Sequence, residues 1–387
     1  MVATGAQITT SFATQGMGTL APFFINDLGL NRAQIGFLGG AVNFGMAFTS
    51  LLAGIMVDRI GEKIVLIGGG VLAGVTMLAA SQVSSFPALA ALFIFAGFWT
   101  ASATPAGSKG IMSWFPESKR GFALGFRQTG LPLGGAISAI ALPSLAILYS
   151  WRAAVAGTGL IIIGGSLLVL FFYRESPTIK QQEKKNGHAG SSLKKLLLNS
   201  NLWLICISSV LLIGIQFSII GYLELFFHED LGFSVRLSSY MLALAQLAGM
   251  AGRLFWGIAS DKLFRGKRKK PFLLAASLIS LICLFMSFVQ YGMPWWLLVS
   301  LSCMLGFTAI GWNGLFIAIL SELAGREAAG TSLGIGLTII QLGVLVIPPF
   351  FGFVVDYTGS YQNGWLILSG LSMLGAGILS FVREKKL

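Results

Sequence analysis

Charge is scarce in this sequence. Only 10% of its 387 residues are Asp, Glu, Lys or Arg, against roughly 25% in soluble domains. A water-facing surface over most of the chain is therefore excluded. Cysteine is scarce too: Cys206, Cys283 and Cys303 are the three present, each inside an apolar run. They read as small buried apolar side chains, not as disulfide partners or zinc ligands. Histidine is limited to His188 and His228. Neither a Cys/His ligand set nor an intramembrane catalytic pair can be assembled from these residues, so neither an enzyme nor a metal or other cofactor is expected. A phosphate-cradling GxxxxGK[ST] loop is also missing, which argues against ATP-driven pumping. No polar stretch is long enough to form the soluble domain that a membrane receptor would need. The opening MVATGAQITTSF has no basic residue before its apolar part. It reads as part of the first membrane helix and not as a cleaved leader.

What is abundant is apolar sequence. Hydrophobic residues make up 55% of the chain, and there are 50 glycines, a composition suited to membrane helices packed through small residues. A spanning helix needs about 20 mostly apolar residues. Twelve such runs lie near 5–26, 32–57, 63–83, 86–114, 119–147, 151–173, 200–227, 235–260, 271–291, 294–321, 328–355 and 362–382. An even number places both termini on one side.

The basic residues orient this map. Twenty of the 26 Lys and Arg fall on alternate loops and the C-terminal tail, among them Arg59, Lys63, Lys119, Arg120 and the run from Lys262 to Lys270. Arg32, Arg152 and Arg236 lie on the opposite side, and Lys109, Arg127 and Arg253 inside spans. Positive charge marks the cytoplasmic face, so both termini are expected there, in a plasma (bacterial inner) membrane. The net charge of +12 is then a topology signal, and the partner it implies is the lipid bilayer, not nucleic acid. The stretch ESPTIKQQEKKNGHAGSSLKK at 175–195 is polar and charged, and reads as a flexible cytoplasmic tether. It divides the chain into an expected N-terminal six-helix bundle (1–175), a linker (176–198) and a C-terminal six-helix bundle (199–387).

The two halves repeat. Phe24, Asp27, Leu28 and Gly29 recur 203 positions later as Phe227, Asp230, Leu231 and Gly232, and Gly54 and Asp58 recur as Gly257 and Asp261. Gly97-Phe98 and Gly306-Phe307 are 209 apart, as are Gly121, Leu124, Gly125 and Gly330, Leu333, Gly334. A duplicated six-helix unit with a short insertion between its third and fourth helices accounts for both offsets.

The most specific motif joins the second and third spans: Gly54-Ile-Met-Val-Asp58-Arg59-Ile-Gly61-Glu62-Lys63. It resembles the G-x-x-x-D-R-x-G-R-K loop of the major facilitator superfamily, with Glu62 where a basic residue is usual. A weaker copy, Gly257-Ile-Ala-Ser-Asp261-Lys262, lacks the following glycine. Helix number, repeat, central tether and signature agree, so the resemblance covers essentially the whole chain. Within the superfamily it looks closest to small organic-anion transporters. It implies an all-α membrane protein of twelve transmembrane helices in two pseudo-symmetric six-helix bundles. It also implies that Gly54, Asp58, Arg59, Gly61 and Lys63 latch the cytoplasmic side when the protein opens outward, with Asp261 as their counterpart. Arg253 and Glu322 are the candidates to join the second latch. The plainer reading, basic residues that only follow a helix, stays open.

The resemblance further implies that helices 1, 4, 7 and 10 line a central cavity. Polar residues support it independently. Gln7, Ser11, Thr14 and Gln15 form one stripe on the first helix, and Thr100, Thr104 and Ser108 another on the fourth. Such stripes face protein or water in a bilayer, and interhelical hydrogen bonding without substrate is the alternative. Arg127 stands about eight residues into the fifth expected helix, roughly 12 Å from its cytoplasmic end at 1.5 Å per residue. It needs a carboxylate, backbone carbonyls or an anionic ligand there. Gln128 adjoins it, and Lys109 in the fourth helix stands at similar depth or snorkels to the interface. Gln216, Tyr222, Trp312, Asn313 and Gln341 complete the candidate substrate set, with packing as the alternative for the aromatics. Glu224 is the candidate proton carrier, because intramembrane carboxylates mark proton relays; His228, one turn on, is the candidate assistant. A water-exposed rim glutamate is the alternative.

The function expected is secondary active transport of a small anionic solute, a carboxylate foremost, by alternating access and proton-coupled symport. Its basis is the excess of Lys109, Arg127 and Arg253 over Glu224 within spans. The alternative is proton-coupled efflux of drugs or metabolites, and exchange of two anions is a third variant. A monomer is expected.

Overall fold

In hydrocarbon the backbone must satisfy its own polar groups, and helices do so along a single chain. A computed structural model describes residues 2–103, 106–107, 126–173, 197–324 and 329–383; the side chains of Gly54 and Asp58 lie outside the description. Among these residues the secondary structure is helical throughout. The helices are α1 (Val2–Gln15), α2 (Ala21–Leu28), α3 (Arg32–Ile60), α4 (Glu62–Ala80), α5 (Phe86–Thr100), α6 (Gly130–Leu148) and α7 (Trp151–Phe172). They continue as α8 (Ser200–Leu225), α9 (Val235–Lys262), α10 (Lys269–Met286), α11 (Trp295–Leu305), α12 (Asn313–Ala324), α13 (Ala329–Thr358) and α14 (Tyr361–Ser380). Nine helical segments among the described residues are long and apolar enough to cross a membrane.

Local chemistry sets several boundaries. Asn31 and Gln34 form a reciprocal capping box at the start of α3. Gly29 ends α2 with φ +63°, and its repeat partner Gly232 has φ +69°. Both need the left-handed region that glycine enters freely. Ser150 caps α7 through the Ala153 N–H at 3.2 Å.

Several expected spans are interrupted among the described residues. The first breaks at Gly16, where a 3-10 turn, Met17–Leu20, separates α1 from α2. The tenth passes through a π-helical turn, Gly306–Ile310, between α11 and α12. Such a turn unsettles the i→i−4 ladder, and α9 supplies donors beside it: Trp256 Nε1–H to the Phe307 carbonyl and Arg253 Nε–H to that of Ile310, both at 3.2 Å.

By contact the chain forms two compact units. The first holds the described residues of Met1–Lys185 together with Ile220–His228 and Phe233–Ala243, and the second holds Asn186–Ile219, Glu229–Gly232 and Leu244–Leu387. Within the first, α3 packs on α5, α4 on α7, and α1 on α6 and α7. Within the second, α10 packs on α14 and α12 on α13. Small residues let backbones meet. A Cβ on Gly97 would fall 2.0 Å from the Val42 carbonyl oxygen, and one on Gly306 would fall 1.8 Å from that of Ala245. These two contacts are 209 and 203 positions apart on their respective strands of the repeat, so the duplication extends to packing. Serine hydroxyls bind α10 to α14: Ser280 Oγ donates to the Ser369 carbonyl at 2.9 Å and Ser369 Oγ to that of Ser280 at 2.8 Å.

Candidate functional site

Three charged side chains are buried among the described residues: Glu62, Arg127 and Glu224. Arg127 stands one residue into the described part of its span, Phe126–Leu148. The first residues of its expected helix, 119–125, lie outside the description, and so do Thr104 and Lys109. Arg127 is 1% exposed. Its Nη1 donates to Gln7 Oε1 at 2.5 Å and to the Ala103 carbonyl at 3.3 Å. Space for the guanidinium comes from Gly107, where a Cβ would sit 2.8 Å from Nη1. Gly130 and Gly134 bring α1 against α6: their Cβ positions lie 3.3 Å from Gln7 Cβ and 1.8 Å from Ser11 Oγ. The polar stripe of α1 thus turns toward α6. Ser11 and Thr14 spend their hydroxyls on carbonyls of their own helix, while Gln7 reaches across to the arginine. A small cavity lined by Thr9, Thr10, Thr100, Ser102 and Ala103 adjoins this pair through Ala103, with room for about one water molecule.

The other candidates are distributed. Gln15 is buried at the break after α1, and its Oε1 has no hydrogen-bond partner among the described residues. Gln128 and Gln341 are half-buried. In the second unit Asn313 Nδ2 donates to Gln216 Oε1 at 3.0 Å and to the Ile310 carbonyl at 3.1 Å, which joins α8 to α12. Trp312 stacks on Phe272, with centroids 5.4 Å apart, and meets Phe316 edge-on. Its place is in packing. Tyr222 is fully buried, and its hydroxyl donates to the Arg32 carbonyl.

Glu224 is fully buried. Its Oε1 accepts a 2.7 Å hydrogen bond from Ser239 Oγ, and its Oε2 has no hydrogen-bond partner among the described residues. The carboxyl group is closed off from water in this structure. His228 lies with Nδ1 2.7 Å from the Phe233 carbonyl. No hydrogen bond among the described residues joins it to Glu224.

At the signature loop Arg59 is exposed, Lys63 half-buried, and Gly61 has φ +92°. Glu62, the departure from the motif, is 1% exposed in the first turn of α4, where the helix dipole favours an acid. In the second copy the structure brings Asp261 and Glu322 together on one cation. Arg268 Nη1 lies 2.5 Å from Asp261 Oδ1, and its Nε lies 2.8 Å from Glu322 Oε1. Nη1 also donates to Ser260 Oγ at 2.9 Å. Burial opposes the charge on Arg268, yet the hydrogen bonds and charges of Glu322 and Asp261 leave its pKa above the ordinary arginine value. Sequence reasoning missed Arg268, which stands in a run of six basic residues that all serve topology equally well. Arg253 donates its Nε–H to the Ile310 carbonyl.

Comparison with known proteins follows the same lines. The sequence profile of the Major Facilitator Superfamily matches residues 3–348. A hexuronate transporter of Bacillus subtilis is 24% identical, covering 94% of this chain and 89% of its own. A probable sulfoacetate transporter of Cupriavidus necator is 26% identical, covering 93% and 87%. Among solved structures, a bacterial homologue of the human lysosomal transporter Spinster, inward-facing and unoccupied, superposes with TM-score 0.83 at 14% identity over 98% of this chain and 95% of that one. A match over most of the chain, the duplicated packing and the shared fold make this protein a multi-pass membrane transporter of the Major Facilitator Superfamily.

Proposed function

We propose that the protein takes up a small organic anion, a carboxylate foremost, by alternating access coupled to proton symport. One observation carries this reading: the fully buried guanidinium of Arg127, positioned by the neutral amide of Gln7. A buried arginine offers a planar fork that matches a carboxylate or sulfonate. Hexuronate and sulfoacetate, named for two relatives, are both acids, one with a carboxylate on a sugar skeleton and one with an added sulfonate. Lys109 and Gln128 stand near Arg127 in sequence, and Gln15, Gln216, Asn313 and Gln341 supply neutral polar groups for the rest of a solute. Glu224, buried with one oxygen on Ser239, is the proton carrier in this reading. The 1–175 and 199–387 bundles rock about the tether at 176–198, with the signature loop and the Asp261–Arg268–Glu322 cluster as cytoplasmic latches. Both termini lie in the cytoplasm and the chain acts as a monomer.

Uptake into proteoliposomes tests it. D-glucuronate and sulfoacetate are offered with and without an inward proton gradient, beside a cationic dye. The reading expects gradient-driven accumulation of an anion and its loss in Arg127→Ala. Indifference to both anions, or normal anion uptake by Arg127→Ala, overturns it; extrusion of the dye establishes the efflux alternative instead.

A further inference from the structure

Thr14, Gly18 and Asn43 have their repeat partners, 203 positions on, at Phe217, Gly221 and Gln246. The first half shows what this trio does. The ladder of α1 stops at Gln15 and resumes, through the 3-10 turn, in α2. The stop deprives the last carbonyls of α1 of their helical donors. Asn43, buried in α3, donates its Nδ2–H to one of them, the Thr14 carbonyl, at 3.2 Å.

The second half keeps the amide residue and changes the backbone. Helix α8 runs unbroken from Ser200 to Leu225, past both Phe217 and Gly221. The Phe217 carbonyl therefore stays in the ladder. Gln246 is 1% exposed, and neither its Nε2 nor its Oε1 has a hydrogen-bond partner among the described residues. A buried primary amide left this way is costly and rare. Gly221 adds to the oddity. A Cβ built on it would meet nothing within 4 Å, so local space does not demand glycine there, while glycine does weaken a helix interior.

A separate observation locates the weakness. The chain passes from the second compact unit to the first between Ile219 and Ile220, rejoins the second over Glu229–Gly232, and leaves the first for the last time between Ala243 and Leu244. Phe217 lies within three residues of the first of these crossings and Gln246 within three of the last, each on the second-unit side.

We propose that α8 has a second conformation, broken between Phe217 and Gly221 as the first span is at Gly16, and that Gln246 caps the Phe217 carbonyl in it. Gln246 is thus a positioning residue of the transport cycle. It acts on backbone and touches no solute, so the proposal stands apart from the identity of the substrate. The break lets α8 bend between Phe217 and Gly221 without stranding a buried carbonyl. In the unbroken conformation the same amide is the group left without a partner, which keeps the two conformations near balance. Asn43 already holds its carbonyl; Gln246 holds its own only after the ladder opens.

Amide hydrogen exchange on the full chain in lipid nanodiscs tests this without any substrate. The wild-type peptide covering residues 213–223 should exchange at least threefold faster than the preceding turns, residues 202–212. Gln246→Met keeps the volume and removes the cap, and should slow exchange at 213–223 at least threefold while leaving 202–212 unchanged. Gln246→Asn retains the amide and should stay within twofold of wild type. Equal protection of the two wild-type peptides overturns the proposal even where a variant fails to fold. Unchanged or faster exchange at 213–223 in Gln246→Met overturns it as well, because a merely structural glutamine would loosen the helix when lost.

Discussion

Arg127 and Gln7, 120 residues apart in sequence, share the 2.5 Å hydrogen bond that fixes the charged centre of the first unit. The amide supports one guanidinium nitrogen and carries no charge of its own. Removing the cation should therefore cost more than removing its support. Arg127→Ala should lower initial D-glucuronate uptake about a hundredfold or more, and Gln7→Leu about tenfold. The second figure follows from hydrogen bonds to charged groups, worth about 1.5–3 kcal/mol. Arg127→Lys keeps charge and loses the fork, and should fall between. Equal losses in Gln7→Leu and Arg127→Ala would show a scaffold and not a binding centre.

In the proposed cycle Glu224 carries the proton and not the solute. Glu224→Gln preserves shape and removes the ionisable proton. It should abolish gradient-driven accumulation while exchange of internal for external solute stays within about threefold of wild type, since the neutral carboxamide can still accept from Ser239. Parallel assays of net uptake and counterflow decide this. Accumulation that survives places the carrier elsewhere.

The Asp261–Arg268–Glu322 cluster is partly exposed, with side-chain exposures of 63%, 17% and 41%. Its pairs are accordingly modest contributors, about 0.2–1 kcal/mol each. A double-mutant cycle of Asp261→Asn and Arg268→Gln, read by thermal unfolding in detergent, should give a coupling in that range. The coupling should shrink in 1 M salt, where the screening length is about 3 Å. A coupling that ignores salt would mean the pair is buried in the working protein.

The glycine contacts make a graded stability series. Gly97→Ala and Gly306→Ala drive a methyl into a backbone carbonyl at 2.0 and 1.8 Å, and each should cost about 1–3 kcal/mol or more. Gly39→Ala, whose Cβ meets nothing within 4 Å, should be neutral or mildly stabilising because alanine favours helix. Unfolding temperature and monodisperse yield in detergent rank the three. Failure of the two repeat-related variants to match would break the equivalence of the halves.

Much of the fold was legible before any coordinates. Apolar run lengths and offsets of 203 and 209 are one-dimensional facts: lipid converts the first into spans, and the second record the duplication. The charged residues to consider, Arg127 and Glu224, could be named for the same reason: ionisable groups within apolar runs stand out. Their partners could not. Which face of α1 carries Gln7 to Arg127, that Ser239 reaches Glu224, that Arg268 gathers Asp261 and Glu322 out of a run of six basic residues, and that Trp312 spends its face on Phe272 are all products of packing. Helix rotation and close approach through glycine set them, and neither leaves a periodic trace in a single sequence. The breaks at Gly16 and at Gly306–Ile310 belong there too. Hydropathy reads straight through an interrupted span, because a carbonyl freed from the ladder is affordable wherever a neighbouring helix offers a donor.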